Sequence, residues 1–203
     1  MHIEECVNSA ATMAIIDVGL SGGRITTEDN VVNITPNPIS FHYREAELFI
    51  PTAQEYEQAI KQMYHMHFSD CIVNYVDYDP LLPHLALVGI DSDVIIGESF
   101  VMIFSHHVVD VELGANVQTF SGGYVNFDSL FIPHLLMVSE QLAEFQKLYP
   151  DSYCHSCMAI LALDSFVEIE LAEIDEFLTF YTIVDLRTQI GERPYALMVA
   201  HEH

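Results

Sequence analysis

The chain carries 30 Asp and Glu against 6 Lys and Arg, yet only 18% of its residues are charged, so its formal charge of −24 reflects missing bases and not surplus acids. That distinction decides whether such a chain folds. Acidic disordered segments are poor in aromatics and low in hydrophobicity. Here 51% of residues are hydrophobic, with 12 Phe and 10 Tyr, and the mean hydropathy is +0.26. A chain of 203 residues with that content can bury a core and falls within the size of one domain, so residues 1–203 read as a single acidic domain. A salt-adapted protein would also be acidic and poor in Lys, but with a larger charged fraction. Self-repulsion at this net charge destabilises the compact state, and a binding surface is the simplest reason to keep it.

Apolar spacing at Ile3, Val7, Ala11, Met13, Ile15 and Val18 predicts a helix over residues 3–20, stopped by Ser21-Gly22-Gly23. The short runs RITTE, VVNIT, SFHYR and AELFI then read as an antiparallel meander. Thr52 and Glu55 have capping-box spacing and open a second helix with Tyr56, Ala59, Ile60, Met63 and His67 on one face. CIVNYV, HLALVGI, DVIIGESFVMIF and HVVDVEL read as central strands, with turns at DYDP, GIDSD and SHH. A third helix is expected from Ser129 to Leu148, with Leu135, Val138, Leu142 and Phe145 inward and Glu140 and Glu144 outward. CMAILAL and FVEIEL follow as strands, then a helix over 171–180 and a last strand over 195–200. The expected class is α+β, one domain with a mostly antiparallel sheet and three to four helices. The two SGG triplets share too little flanking sequence to argue duplication.

Cys6, Cys71, Cys154 and Cys157 are too few and too scattered for a disulfide scaffold, which favours reduced thiols in a cytoplasm. No signal peptide is expected, since Glu4 and Glu5 stand where a positive region would be and Asp17 interrupts the apolar run. No run has membrane-spanning length.

Eleven histidines raise the question of metal. Tyr153-Cys154-His155-Ser156-Cys157 has the spacing of half a zinc site, but no second CxxC or HxxxH completes it, and Cys6 or Cys71 would have to do so through the fold. His65 and His67 on one helix point to different faces and read as partly exposed, unpaired histidines. The apolar run Leu85 to Ile90 ends in Asp91 and Asp93. Over this short run it resembles the strand and DxD opening of haloacid-dehalogenase-type phosphoryl-transfer enzymes, which implies a nucleophile and an acid at these two positions. That family usually has Gly after the second Asp, and a later Lys with an acidic pair. Here Val94 stands in place of the Gly, and Lys147 has no clear acidic motif after it. An ordinary Asp-Ser-Asp turn is the competing reading. No GxSxG, phosphate loop or HExxH occurs, so no catalytic residue, cofactor or metal ligand is assigned. Residues 62–146 hold no Lys or Arg, which disfavours an anionic substrate and direct nucleic-acid binding.

What remains is EIELAEIDEF, Glu168 to Phe177. As a strand, it projects Glu168 and Glu170 from one face roughly 6.6 Å apart, comparable to twice the ~3.4 Å charge interval along one DNA strand. Glu173, Asp175 and Glu176 are expected on the first turn of a following helix. Glu140 and Glu144, and Asp77, Asp79, Asp91 and Asp93 from loops, are candidates to extend the row. These carboxylates point to a non-enzymatic inhibitor that occupies the basic surface of a nucleic-acid-handling protein by imitating DNA or RNA, as phage anti-restriction and anti-CRISPR proteins do. Three alternatives stay open: an immunity protein against a basic nuclease toxin, a metal-dependent hydrolase using Asp91 and Asp93, and a virion or assembly protein. Pairing of the chain with itself as a homodimer is open as well.

Overall fold

The periodic run at the start of the chain folds as α1 (His2–Leu20), burying Ile3, Cys6, Val7, Ala10, Ala11, Ala14, Ile15 and Val18 while Met13 faces solvent. In this computed structural model the described residues are 2–25, 30–33, 38–78, 84–113, 115–150, 152–191 and 193–202. The expected SGG stop closes α1: Gly23 N–H donates to the Val18 carbonyl at 2.8 Å and Gly22 N–H to that of Gly19 at 3.1 Å, a Schellman closure with both glycines at positive φ. A Cβ on Gly23 would lie 2.5 Å from the Tyr56 ring, so packing as well as φ demands glycine there.

The second helix, α2 (Ala53–Tyr78), opens with the expected capping box. Thr52 N–H donates to Glu55 Oε2 at 2.7 Å, and Glu55 N–H to Thr52 Oγ1 at 3.2 Å. Replacing Thr52 with Ala should lower stability by about 1 kcal/mol, read as a fall of roughly 2–4 °C in Tm for a chain of this size. The helix also runs through CIVNYV, which its β-branched residues had marked as a strand. Phe68 and Ile72 continue the buried stripe of Tyr56, Ile60 and Tyr64 at four-residue intervals, and packing of that stripe outweighs strand propensity.

The first sheet has the order β1 (Val31–Val32), β2 (Ile39–Arg44), β10 (Arg193–Glu202), β9 (Leu178–Ile190), β8 (Val167–Glu173), with β3 (Glu47–Leu48) also beside β2. Every pairing in it is antiparallel except β2 with β10. Of the expected meander, residues 26–28 of RITTE and 34–35 of VVNIT lie outside the described residues. The second sheet is built on a long strand, β6 (Phe100–Leu113), with β7 (Asn116–Asp128) along one edge and β4 (His84–Gly89) and β5 (Ser92–Ile96) sharing the other. SHH is therefore not a turn. It is a bulge inside β6, between Ser105 and Val108, and the second SGG lies across from it, with Ser105 paired to Gly123 and Val108 to Ser121.

Two further elements differ from expectation. CMAILAL lies in a helix, α4 (His155–Ser165), closed by Phe166 in the left-handed conformation. Met, Ala and Leu are strong helix formers, and the short apolar run hid their periodicity. Residues 171–180 are not helical: β8 runs to Glu173, residues 174–177 turn, and β9 begins at Leu178. The expected third helix is present as α3 (Ile132–Leu148), beginning three residues late because Ser129 holds positive φ.

Among the described residues the class is α+β, four helices and ten strands in two mostly antiparallel sheets. α1 packs on β10 and on α2, α2 packs on β4 and β5, and α3 lies against β2, β9 and β10. One apolar cluster thereby runs from Ile183, Leu197 and Val199 through both long helices to Val101, Ile103 and Val109. The opposite face of the first sheet carries a small cluster, Ile39, Phe41, Phe180 and Ala200.

Candidate acidic interface

Register decides where the acidic stretch points. Glu168 pairs with Val184 and Glu170 with Thr182, which pair in turn with Ala196 and Met198. Paired residues share a face, so Glu168 and Glu170 stand on the sheet face turned away from the helices. Both are exposed and two positions apart on an edge strand, while Ile169 and Leu171 point to the core side and are half-buried. This is the alternation expected of FVEIEL.

The remaining carboxylates do not continue that row. Glu173 pairs with Thr179, which places it on the helix side with Tyr181. There it adds to the burial that raises the Tyr181 phenol pKa, as does Tyr153. Tyr181 itself reaches Gln146 of α3, so Glu140 and Glu144, exposed on α3, also belong to that side. Asp175 and Glu176 sit in the turn, where Asp175 Oδ1 accepts from Phe177 N–H at 2.8 Å. With no helix at 171–180, no helix N-terminus supports them. Asp77 falls within the last turn of α2 and not in a loop, Asp79 lies outside the described residues, and Asp91 and Asp93 belong to the second sheet.

Charge pairing sharpens the picture. Arg24 holds Glu55, Arg44 holds Glu202, Lys61 holds Asp91 and Arg187 holds Asp185, so among the described residues at least four of the six cations are engaged internally. Among the described residues, none of Glu140, Glu144, Glu168, Glu170, Glu173, Asp175 and Glu176 forms an ion pair. Beside Glu168, Phe166 stands across from Leu186, whose N–H donates to the Phe166 carbonyl. These two large apolar side chains are 66% and 61% exposed. Sequence reasoning missed this pair, because residues 181–194 gave no strand boundary to place Leu186.

The other candidate groups have local roles. Asp91 lies in the break between β4 and β5, where its Oδ1 accepts from Ser92 N–H at 2.8 Å. Its hydrogen bond to Lys61, with that from Ser92, holds its carboxyl below the usual range. Asp93 points out of the second sheet to His106 Nε2 at 3.0 Å. The expected turn is not there: β4 and β5 run end to end along β6 and do not pair with each other. The stretch is a break opposite the β6 bulge, where the Asp91 carbonyl accepts from His106 N–H at 2.8 Å and Asp93 already lies in β5. His65 and His67 do face apart, but neither is unpaired: His65 meets Ser92 Oγ at 3.0 Å and His67 meets Asp17 at 2.7 Å. Among the described residues no group of three His, Cys, Asp or Glu is placed to hold a metal ion. The cysteines are not reduced thiols, since Cys6 is bonded to Cys71 and Cys154 to Cys157. Cys6 and Cys71 complete each other and not a zinc site.

One arrangement had no sequence signal. Tyr64 donates to Ser105 Oγ at 2.6 Å, and Ser105 Oγ lies 2.9 Å from His107 Nδ1. His107 lines a cleft of about 580 Å³ between α1 and β7, together with Val7, Asn8, Phe120 and Gly123. Burial lowers the His107 pKa and keeps the ring neutral. Ser105 is buried and does not line the cleft, so the contact orients the imidazole and presents no nucleophile.

No family model, curated protein or solved structure matches this chain. No helix among the described residues is long and apolar enough to cross a membrane.

Proposed function

We propose that the protein is a non-enzymatic acidic inhibitor that occupies the basic, nucleic-acid-binding surface of a partner protein by imitating a polyanion. The observation that carries this reading is the outer face of β8. Glu168 and Glu170 stand there without a cation, at a fixed strand spacing, beside the exposed Phe166 and Leu186. A solvated charge run needs no apolar neighbour, whereas protein interfaces combine an apolar centre with a polar rim. The −24 charge would steer a basic partner to this face and gain affinity as counterions leave. Glu173, Asp175, Glu176, Glu140 and Glu144 lie around the edge and on the helix side, and in this proposal they extend the field more than the contact.

The proposed setting is the cytoplasm of a cell whose defence or nucleic-acid machinery is the target, as for phage anti-restriction or anti-CRISPR proteins. Disulfides are rare in the cytosol, so the two bonded pairs pull against that setting. Counting free thiols in protein quenched within the producing cell decides it: four blocked cysteines would move the site of action outside the cytosol.

The test of function is capture from host lysate at low and high salt, followed by affinity measurement on the captured protein. Glu168→Lys with Glu170→Lys should weaken binding roughly tenfold or more and flatten its salt dependence, while Glu173→Lys alone changes little. Wild-type affinity in the double variant, with its fold intact by circular dichroism, would remove this face from the proposal. The exposed Ile160 and Leu163 on α4, 61% and 78% exposed, favour self-assembly as a second reading. Light-scattering mass across a concentration series separates a monomeric inhibitor from an assembling protein.

A further inference from the structure

We propose that the Cys154–Cys157 pair is a thiol–disulfide exchange site that takes two electrons from a dithiol of another protein. This goes beyond polyanion mimicry and does not rest on it.

The two disulfides differ in kind. Cys6–Cys71 spans 65 positions and joins α1 to α2, with Cys6 fully buried. Cys154–Cys157 spans 3 positions at the start of a single helix, so it joins no two elements. Both of its residues are partly open to solvent, and His155 and Ser156 between them are exposed. A bond that ties nothing together and can be reached from solution is placed for chemistry.

The local geometry favours a thiolate at Cys154. This residue is the N-cap of α4, and the Cys157 backbone N–H donates to its Sγ at 3.3 Å. α4 has 11 residues, long enough for its aligned peptide dipoles to favour negative charge at that end. A thiol at a helix N-terminus within a Cys-X-X-Cys sequence has its pKa lowered for these reasons. A low-pKa thiol leaves readily from a mixed disulfide.

In the first step a partner thiolate attacks Cys154 Sγ, the Cys154–Cys157 bond breaks, and its electron pair goes to Cys157 Sγ, which takes up a proton. In the second, the partner's other thiolate attacks the partner sulfur of the mixed disulfide. Cys154 leaves as a thiolate held by the Cys157 N–H. The partner dithiol becomes a disulfide, two electrons end on the pair, and the second proton goes to Cys154 or to solvent according to pH. Nothing in this sequence requires turnover.

The test uses the full-length protein with reduced glutathione and a synthetic dithiol peptide as probes. Mass spectrometry after alkylation should find Cys154–Cys157 reduced in folded protein while Cys6–Cys71 stays bonded. Reduced Cys154 should alkylate at pH 6 roughly fivefold faster than free cysteine. Cys157→Ser, given oxidised glutathione, should accumulate a mixed disulfide through Cys154, which attacks the glutathione disulfide while the other glutathione leaves as a thiolate. The proposal is overturned if the pair is reduced only together with loss of the fold, or if Cys154 titrates like an ordinary thiol. A Cys157→Ser variant that folds, as shown by circular dichroism, and takes up no glutathione from its disulfide faster than free cysteine does would overturn it equally.

Discussion

Replacing Cys6 and Cys71 together with alanine should lower the free energy of unfolding by about 4 kcal/mol. The bond closes a loop of 65 positions, and in the chain-entropy account long loops gain the most from closure because they deprive the unfolded ensemble of the most conformations. A loss of that size is a large part of the 5–15 kcal/mol typical of a domain. Two features keep the native state close to unchanged in the variant. α1 and α2 pack along their length independently of the bond, and Cys6 already sits among Val7, Ala10 and Phe68 as a small buried group. Removing Cys154–Cys157 in the same way, with a separation of 3, should change stability far less. Urea unfolding of the two double variants against wild type measures both. A Cys6/Cys71 variant within about 1 kcal/mol of wild type would mean that helix packing already restricts the unfolded chain. The bond would then be incidental to stability.

The pairing of Cys6 with Cys71 illustrates what the sequence could and could not carry. Nothing in the separation of Cys6 from Cys71 says that two helices will bring them together. Their pairing is a property of α1 against α2, and α2 itself was legible only over its first half. The capping box at Thr52 and Glu55 and the stripe from Tyr56 to Met63 are local, so they survive in the sequence. The second half, CIVNYV, is β-branched and becomes helical because Phe68 and Ile72 pack into the same core. The same limit applies at the candidate interface. Alternation along FVEIEL correctly separates Glu168 and Glu170 from Ile169 and Leu171. Whether Glu173 continues that row depended on the next element, and a strand with a turn places it on the other face. The apolar partners Phe166 and Leu186 meet only through the β8–β9 pairing, which no local pattern encodes. The two SGG triplets look alike and do different work: one ends α1 and the other accommodates a bulge in β6.

Acidification should destabilise the fold between pH 6.5 and about 4 through one buried imidazole. His42 on β2 is fully buried, its Nε2 lies 2.8 Å from the Gly22 carbonyl and its Nδ1 2.6 Å from Ser139 Oγ. The carbonyl can only accept, so Nε2 donates to it, and the neutral ring accepts the Ser139 hydroxyl proton at Nδ1. The Schellman turn at the end of α1 supplies that carbonyl, which ties the glycine stop to this site. Burial is the main cause that lowers the His42 pKa from 6.5 to about 4. The Gly22 hydrogen bond opposes it, and nearby Arg24 adds to it. In the unfolded chain the ring protonates near 6.5. Between these values the unfolded state holds more protons than the native one, so stability is complete above pH 6.5 and declines as pH falls to about 4. The full loss is about 3 kcal/mol. Burial lowers His65 and His107 in the same direction. Against them, the −24 charge shrinks as the pH approaches the isoelectric point near 4.4, which relieves self-repulsion. The wild-type curve is therefore a composite, and the informative quantity is its difference from His42→Gln. That variant should be less stable than wild type at pH 7, and the gap should narrow by about 3 kcal/mol on going to pH 4. Parallel stability profiles for the two proteins would show that His42 stays hydrogen-bonded when protonated, with Ser139 turning to accept from Nδ1.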